Sequence, residues 1–154
     1  MASVLVMNAP TDFAGSEAAR RLRTRHDLLD IAPPDGPFAA LAFGDAARQA
    51  LALQNERLEA LVLVAPTGLA LDAPEQAGAA VAKAVLIGTL DGRFGKDAVS
   101  RHRKGLPRSQ VVLVYGAGED IAADRPEAFA SAAGDFLERR ERFAFEAGSM
   151  AVSR

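Results

Sequence analysis

Five short runs rich in Val, Leu, Ile, Ala and Phe, at residues 3–8, 38–43, 60–65, 84–88 and 111–115, are nearly continuous in apolar character, and helix-like segments separate them. A strand with one wet face alternates polar and apolar residues. One that is apolar throughout is covered on both faces, as parallel strands are when crossover helices flank them. The pattern predicts an α/β fold: a three-layer sandwich with an open, mostly parallel sheet of about six strands. The sixth and weakest strand falls at 26–31, where HDLLDI runs into Pro33 and Pro34, because a residue before proline avoids the helical region.

Helices are expected at 16–24, 45–57, 74–82, 96–104 and 125–143. Ser16, Asp45 and Asp124 stand where an N-cap acceptor is wanted, and Pro126 suits a first turn because it has no N–H to lose. The last helix gathers Phe129, Ala132, Ala133, Phe136 and Leu137 on one stripe, with Glu138, Arg139 and Arg140 outside it, so it should pack on the sheet. The tail at 146–154 is small and polar enough to fray, while RFAF just before it could cover an edge strand.

The chain's 154 residues, 49% hydrophobic and 25% charged, suit one domain, 1–154, with a real core. A formal charge of -2 gives no field for steering toward nucleic acid or anionic lipid, so both are disfavoured as partners. No apolar stretch approaches the roughly 20 residues of a membrane span and no secretory leader is legible, which makes the cytoplasm the expected compartment. The absence of cysteine excludes disulfides and thiolate ligands. His26 and His102 lack zinc-site spacing, so no metal or other cofactor is expected and both histidines read as surface or structural residues. In the segment AVSRHRKG, the RHRK run reads as a solvated face.

The order VLVM, FAALAF running into GDAARQALAL, LVLVAP, VLIGTLDG, VVLVYGAGED and a helix from DRPEAF resembles the α/β-hydrolase superfamily over nearly the whole chain. It is similar to a trimmed, capless core that opens at what resembles the third strand. The resemblance implies a nucleophile elbow at Gly44, flanked by Ala42 and Ala46, an acid at Asp91 and a base at Glu119. The triad is therefore degenerate: Gly44 has no hydroxyl, and a carboxylate titrating near 4 does not shuttle protons as imidazole does. Asp45, one residue on, would be a nucleophile only with bulky Phe43 in the tight turn, and a helix N-cap is its simpler role. Asp91 beside Gly92 reads equally as a residue that caps a turn. The loop Asn8, Ala9, Pro10, Thr11 stands where the family places oxyanion donors, but Pro10 offers none.

The resemblance places Gly44 to Asp45, Asp91 and Glu119 at one edge of the sheet. Three carboxylates there could repel, share a proton or recruit a hard cation. They could also be solvated acids paired with Arg93, Arg125 or Lys96. The expected function is a non-catalytic binding or accessory subunit with no cofactor, a homo-oligomer or bound to a protein partner through a groove lined by loops 8–12, 43–45, 66–71 and 118–121. Phe43, Leu69 and Leu71 would be its apolar contacts, and a small-molecule ligand is also compatible. The alternative is a hydrolase of small esters or acyl compounds using Asp45, Asp91 and Glu119, or a site shared with another chain. A nucleotide binder is disfavoured because NAPTDFAG, not a glycine-rich phosphate loop, follows the first strand.

Overall fold

A computed structural model describes residues 2–33, 35–72, 80–139 and 150–153. The strands are β1 (Ser3–Met7), β2 (Asp27–Leu29), β3 (Phe38–Phe43), β4 (Leu58–Val64), β5 (Ala82–Gly88), β6 (Ser109–Val114) and β7 (Met150–Ser153). They form one sheet in the order β2-β1-β3-β4-β5-β6-β7, parallel at every pairing. The sheet is open and flanked by helices, as the apolar runs implied. It has one strand more than expected, because Met150–Ser153 pairs with Val111 to Val114 where the sequence suggested a frayed tail. The RFAF segment lies outside the described residues.

The helices are α1 (Glu17–Arg23), α2 (Ala46–Leu51), α3 (Ala98–Gly105), α4 (Ile121–Asp124) and α5 (Pro126–Arg139). The helix expected at 74–82 falls largely outside the described residues, and its last position, Ala82, opens β5. α2 stops six residues before the expected end at Arg57, because Asn55 competes for the backbone. Its side chain accepts from Arg57 N at 2.9 Å and its carbonyl from Leu58 N at 3.0 Å, a turn that starts β4 in register with Phe38. Among the described residues, no helix is long and apolar enough to cross a membrane.

The two faces of the sheet carry separate cores. Ala39, Leu41, Phe43, Val62 and Leu86 face α1 and α5, where they meet Leu22, Phe129, Phe136 and Leu137. Ala40, Ala42, Leu61, Leu63 and Val85 face α2 and α3, with Ala47, Leu51 and Leu106. Coverage on both sides is the reason β3 and β5 are buried at every position. The apolar stripe of α5 is buried as expected, and Glu138 lies outside it, with Asp135, to hold Arg25 at the end of α1 at 2.8 and 2.9 Å. Both histidines are buried and structural. His26 Nδ1 accepts from Ala2 N at 3.1 Å and its Nε2 donates to the Gly134 carbonyl at 3.2 Å, while His102 Nδ1 donates to the Ala98 carbonyl at 2.7 Å. His102 is thus not a surface residue, although its neighbours Arg101, Arg103 and Lys104 are exposed.

After β1 the chain steps one way to β2, then returns across β1 to β3 and continues the other way. Strand order therefore reverses between β1 and β3. Open α/β sheets bind ligands outside the carboxyl ends of the strands at such a reversal.

Candidate functional site

β3 ends at Phe43, and Gly44 turns the chain toward α2 with φ +58. Its N–H donates to Val64 O at 2.9 Å and its carbonyl accepts from Ala47 N and Thr67 N at 3.2 and 3.3 Å, so the turn is fixed from three sides. A Cβ built on Gly44 would meet nothing nearer than Thr67 Oγ1, at 3.9 Å. There is thus room for a side chain, and this chain places none there. The strands on either side end the same way, Asn8 after β1 with φ 55 and Ala65 after β4 with φ 46. A left-handed backbone costs a non-glycine residue roughly 1–2 kcal/mol, so the chain accepts strain at two of these three ends. Asn8 offsets part of it by donating Nδ2–H to the Phe43 carbonyl at 3.2 Å.

Asp91 follows β5, and its side chain is fully buried. The approach is tight: a Cβ on Gly88 would come within 2.3 Å of the Ala117 carbonyl, so only glycine lets the loop after β6 close over the end of β5. The Asp91 carboxylate accepts from the backbone N–H of Arg93 at 3.1 Å and from Arg93 Nε and Nη2 at 2.9 and 2.7 Å. Its hydrogen bonds to the Arg93 side chain, opposed by burial, hold its carboxyl below the ordinary value. The turn-capping role is therefore realised. Glu119 is 71% exposed and reaches Arg93 Nε at 3.5 Å. Arg93 thus stands between the acid and base positions of the resemblance, and the two carboxylates share a cation instead of repelling each other.

Asp45 does not cap α2. Its carboxylate instead accepts a hydrogen bond from the Thr67 hydroxyl, because Asp45 itself is helical and points its side chain back across the turn. Asp124 does not cap α5 either: it accepts from Gly118 N at 2.8 Å, and Asp120 caps the single turn of α4 through Ala123 N at 3.2 Å. Arg125, bound to the Tyr115 carbonyl, completes a loop tied at three points that carries Glu119. Among the described residues, no group of three His, Asp or Glu is placed to hold a metal ion, so the carboxylates do not gather as a cation site.

Gly44, Arg93 and Glu119 border a cleft of about 330 Å³, at the low end of the roughly 300–1,000 Å³ of ligand pockets. Phe43, Gly44, Val64, Ala65 and Ile121 line it together with Asn8, Thr11, Arg93, Glu119 and Asp120. Phe43 is only 7% exposed and is held by Phe13 and Phe129, at ring distances of 5.0 and 6.1 Å. Leu69 and Leu71 pack against the α2–α3 core and are not among the residues that line this cleft.

Solved structures share this fold. A serine hydrolase involved in carbazole degradation, the CarC enzyme, superposes with a TM-score of 0.74 at 14% identity, covering 90% of this chain and 91% of that one. A predicted CIB-like hydrolase from Thermoplasma acidophilum gives 0.68 at 11%, covering 88% and 86%. The fold is that of the α/β-hydrolases. A membrane phospholipase A described as a bacterial virulence factor has the same α/β-hydrolase fold, with a TM-score of 0.69 at 13% identity and coverage of 89% and 78%. No family model and no curated protein sequence matches the chain. Within that fold, Arg93 pairs with Asp91 and Glu119 as one of the expected cations, while the strain at Asn8 and Ala65 was not read from the sequence. The signal for Arg93 was local: an aspartate two residues before it in LDGR, able to hold both its backbone and its side chain.

Proposed function

We propose that this protein is a non-catalytic binding or accessory protein built on the α/β-hydrolase fold. The observation that carries the reading is the chemistry at the three positions where that fold would place a triad. Gly44 presents no nucleophile, Glu119 presents an exposed carboxylate for a base, and Asp91 is committed to Arg93. The strained strand ends and the cleft they border support a retained ligand site. Self-association or a protein partner at the same cleft belongs to this proposal as well.

The test is turnover of a panel of p-nitrophenyl esters by wild type and by Asp45→Asn and Glu119→Gln, with and without Mg²⁺. No turnover above a denatured control is expected. Activity lost in either variant would overturn the reading.

One observation favours a second reading, a hydrolase of small esters or acyl compounds. The Thr67 hydroxyl lies beside the elbow and donates to Asp45, which gives a nucleophile and a carboxylate in contact. A lone carboxylate is a weak base for an alcohol, and this keeps the reading second. Esterase activity abolished by Thr67→Ala would establish it.

A further inference from the structure

Arg93 is engaged on one edge. Nε and Nη2 donate to Asp91 at 2.9 and 2.7 Å, and Glu119 approaches the same Nε at 3.5 Å. A guanidinium offers five N–H donors in a planar fork. Nη1 makes no hydrogen bond or ion pair among the described residues, which leaves the Nη1–Nη2 edge open for a second bidentate partner. The buried Asp91 carboxylate fixes the group, and the Phe94 ring lies 5.8 Å from its Cζ. An arginine already held on one edge loses little further rotamer freedom when it takes a ligand on the other. Beside it, the missing side chain of Gly44 leaves open space over an apolar floor of Phe43 and Ala65.

We propose that the cleft binds a small monocarboxylic acid, its carboxylate held by the Nη1–Nη2 edge of Arg93 and its short apolar body over Gly44 and Ala65. This rests on reading the cleft as a binding site. Two parallel N–H donors in one plane match a carboxylate. A dianionic phosphate would face Glu119 and Asp120, whose charges a singly charged ligand meets less severely. An amine would meet Arg93 as a like charge.

The test is an NMR titration of the intact ¹⁵N-labelled protein with butyrate and benzoate, beside butylammonium and butanol, for wild type, Arg93→Lys and Glu119→Gln. Saturable shifts of the Gly44, Ala65 and Arg93 amides with the two acids are expected. Arg93→Lys keeps the charge but loses the fork and should weaken binding about tenfold. Glu119→Gln removes a nearby like charge from an exposed position and should tighten binding severalfold. The inference falls if butylammonium or butanol replaces the acids, if no ligand saturates, if Arg93→Lys binds undiminished, or if Glu119→Gln binds more weakly. Cleft shifts with butylammonium alone would remove the carboxylate but keep the binding site. Ester turnover would remove the non-catalytic reading and leave carboxylate recognition standing.

Discussion

Arg93 donates through Nε and Nη2 to the two oxygens of Asp91, and the carboxylate end of that pair is fully buried while the guanidinium end is 41% exposed. The asymmetry decides what each partner's loss would do. An exposed arginine released from its partner regains water, but a buried carboxylate left behind has none. Arg93→Ala is therefore expected to destabilise the protein by about 1–3 kcal/mol, and Asp91→Asn by less, since a neutral amide tolerates the site. Urea denaturation of both variants at pH 7 checks the order.

The same pair sets the acid limb of stability. Arg93 depresses the folded pKa of Asp91, so its contribution is complete above the unfolded carboxylate value near 4 and is lost as pH falls through the lower folded value. Between pH 5 and 2, Asp91→Asn should show a shallower fall in urea midpoint than wild type. Equal slopes would mean that other carboxylates govern acid unfolding.

Histidine acts at a higher pH. Burial, the largest cause, lowers the pKa of His26 and of His102. The unfolded chain then binds protons that the folded one does not. Stability should fall as pH drops below the ordinary histidine value near 6.5 and level off below the depressed folded values. For His26 the cause is structural as well, because Nδ1 must stay unprotonated to accept from Ala2 N. Charges around it act in both directions, Arg25 lowering and Glu138 raising its pKa. His26→Gln should remove part of the difference between urea midpoints at pH 7.5 and 5.5.

Most of the sheet was legible because burial on both faces writes itself as unbroken apolar runs: five strands lie where those runs fall, and β2 lies at the weaker stretch before Pro33. β7 was hidden because its stability comes from pairing with β6 and not from a run of its own. The positions of Gly44, Asp91 and Glu119 at one edge follow from strand order, which alternation and resemblance both indicate. Their partners do not. Asp45 and Asp124 satisfy every sequence criterion for N-caps, yet each finds a nearer donor across its loop, Thr67 and Gly118 respectively. Caps are local choices, and loop closure overrides them.

The aromatic trio beneath the elbow makes a packing prediction. Phe129 is fully buried and lies 6.1 Å from both Phe13 and Phe43, the residue just before Gly44. Phe129→Ala should cost about 3–5 kcal/mol and loosen the elbow with it. Chemical denaturation gives the first quantity, and amide exchange at Gly44 reports the second.

Supplying a serine tests whether the turn at Gly44 has the geometry of a nucleophile elbow. Gly44→Ser has room, with Thr67 Oγ1 3.9 Å from the new Cβ, but φ +58 should cost roughly 1–2 kcal/mol. That variant alone should remain inert toward p-nitrophenyl esters. Glu119 is no imidazole, and Asp91 still grips Arg93. Adding Glu119→His supplies a proton shuttle, and adding Arg93→Ala frees Asp91 to orient it. The triple variant should gain burst-phase acylation where the single one shows none. If the triple variant folds, by its thermal transition, and still acylates no faster than wild type, the turn at Gly44 does not aim its side chain as a nucleophile elbow must. The strained strand ends would then serve the ligand cleft alone.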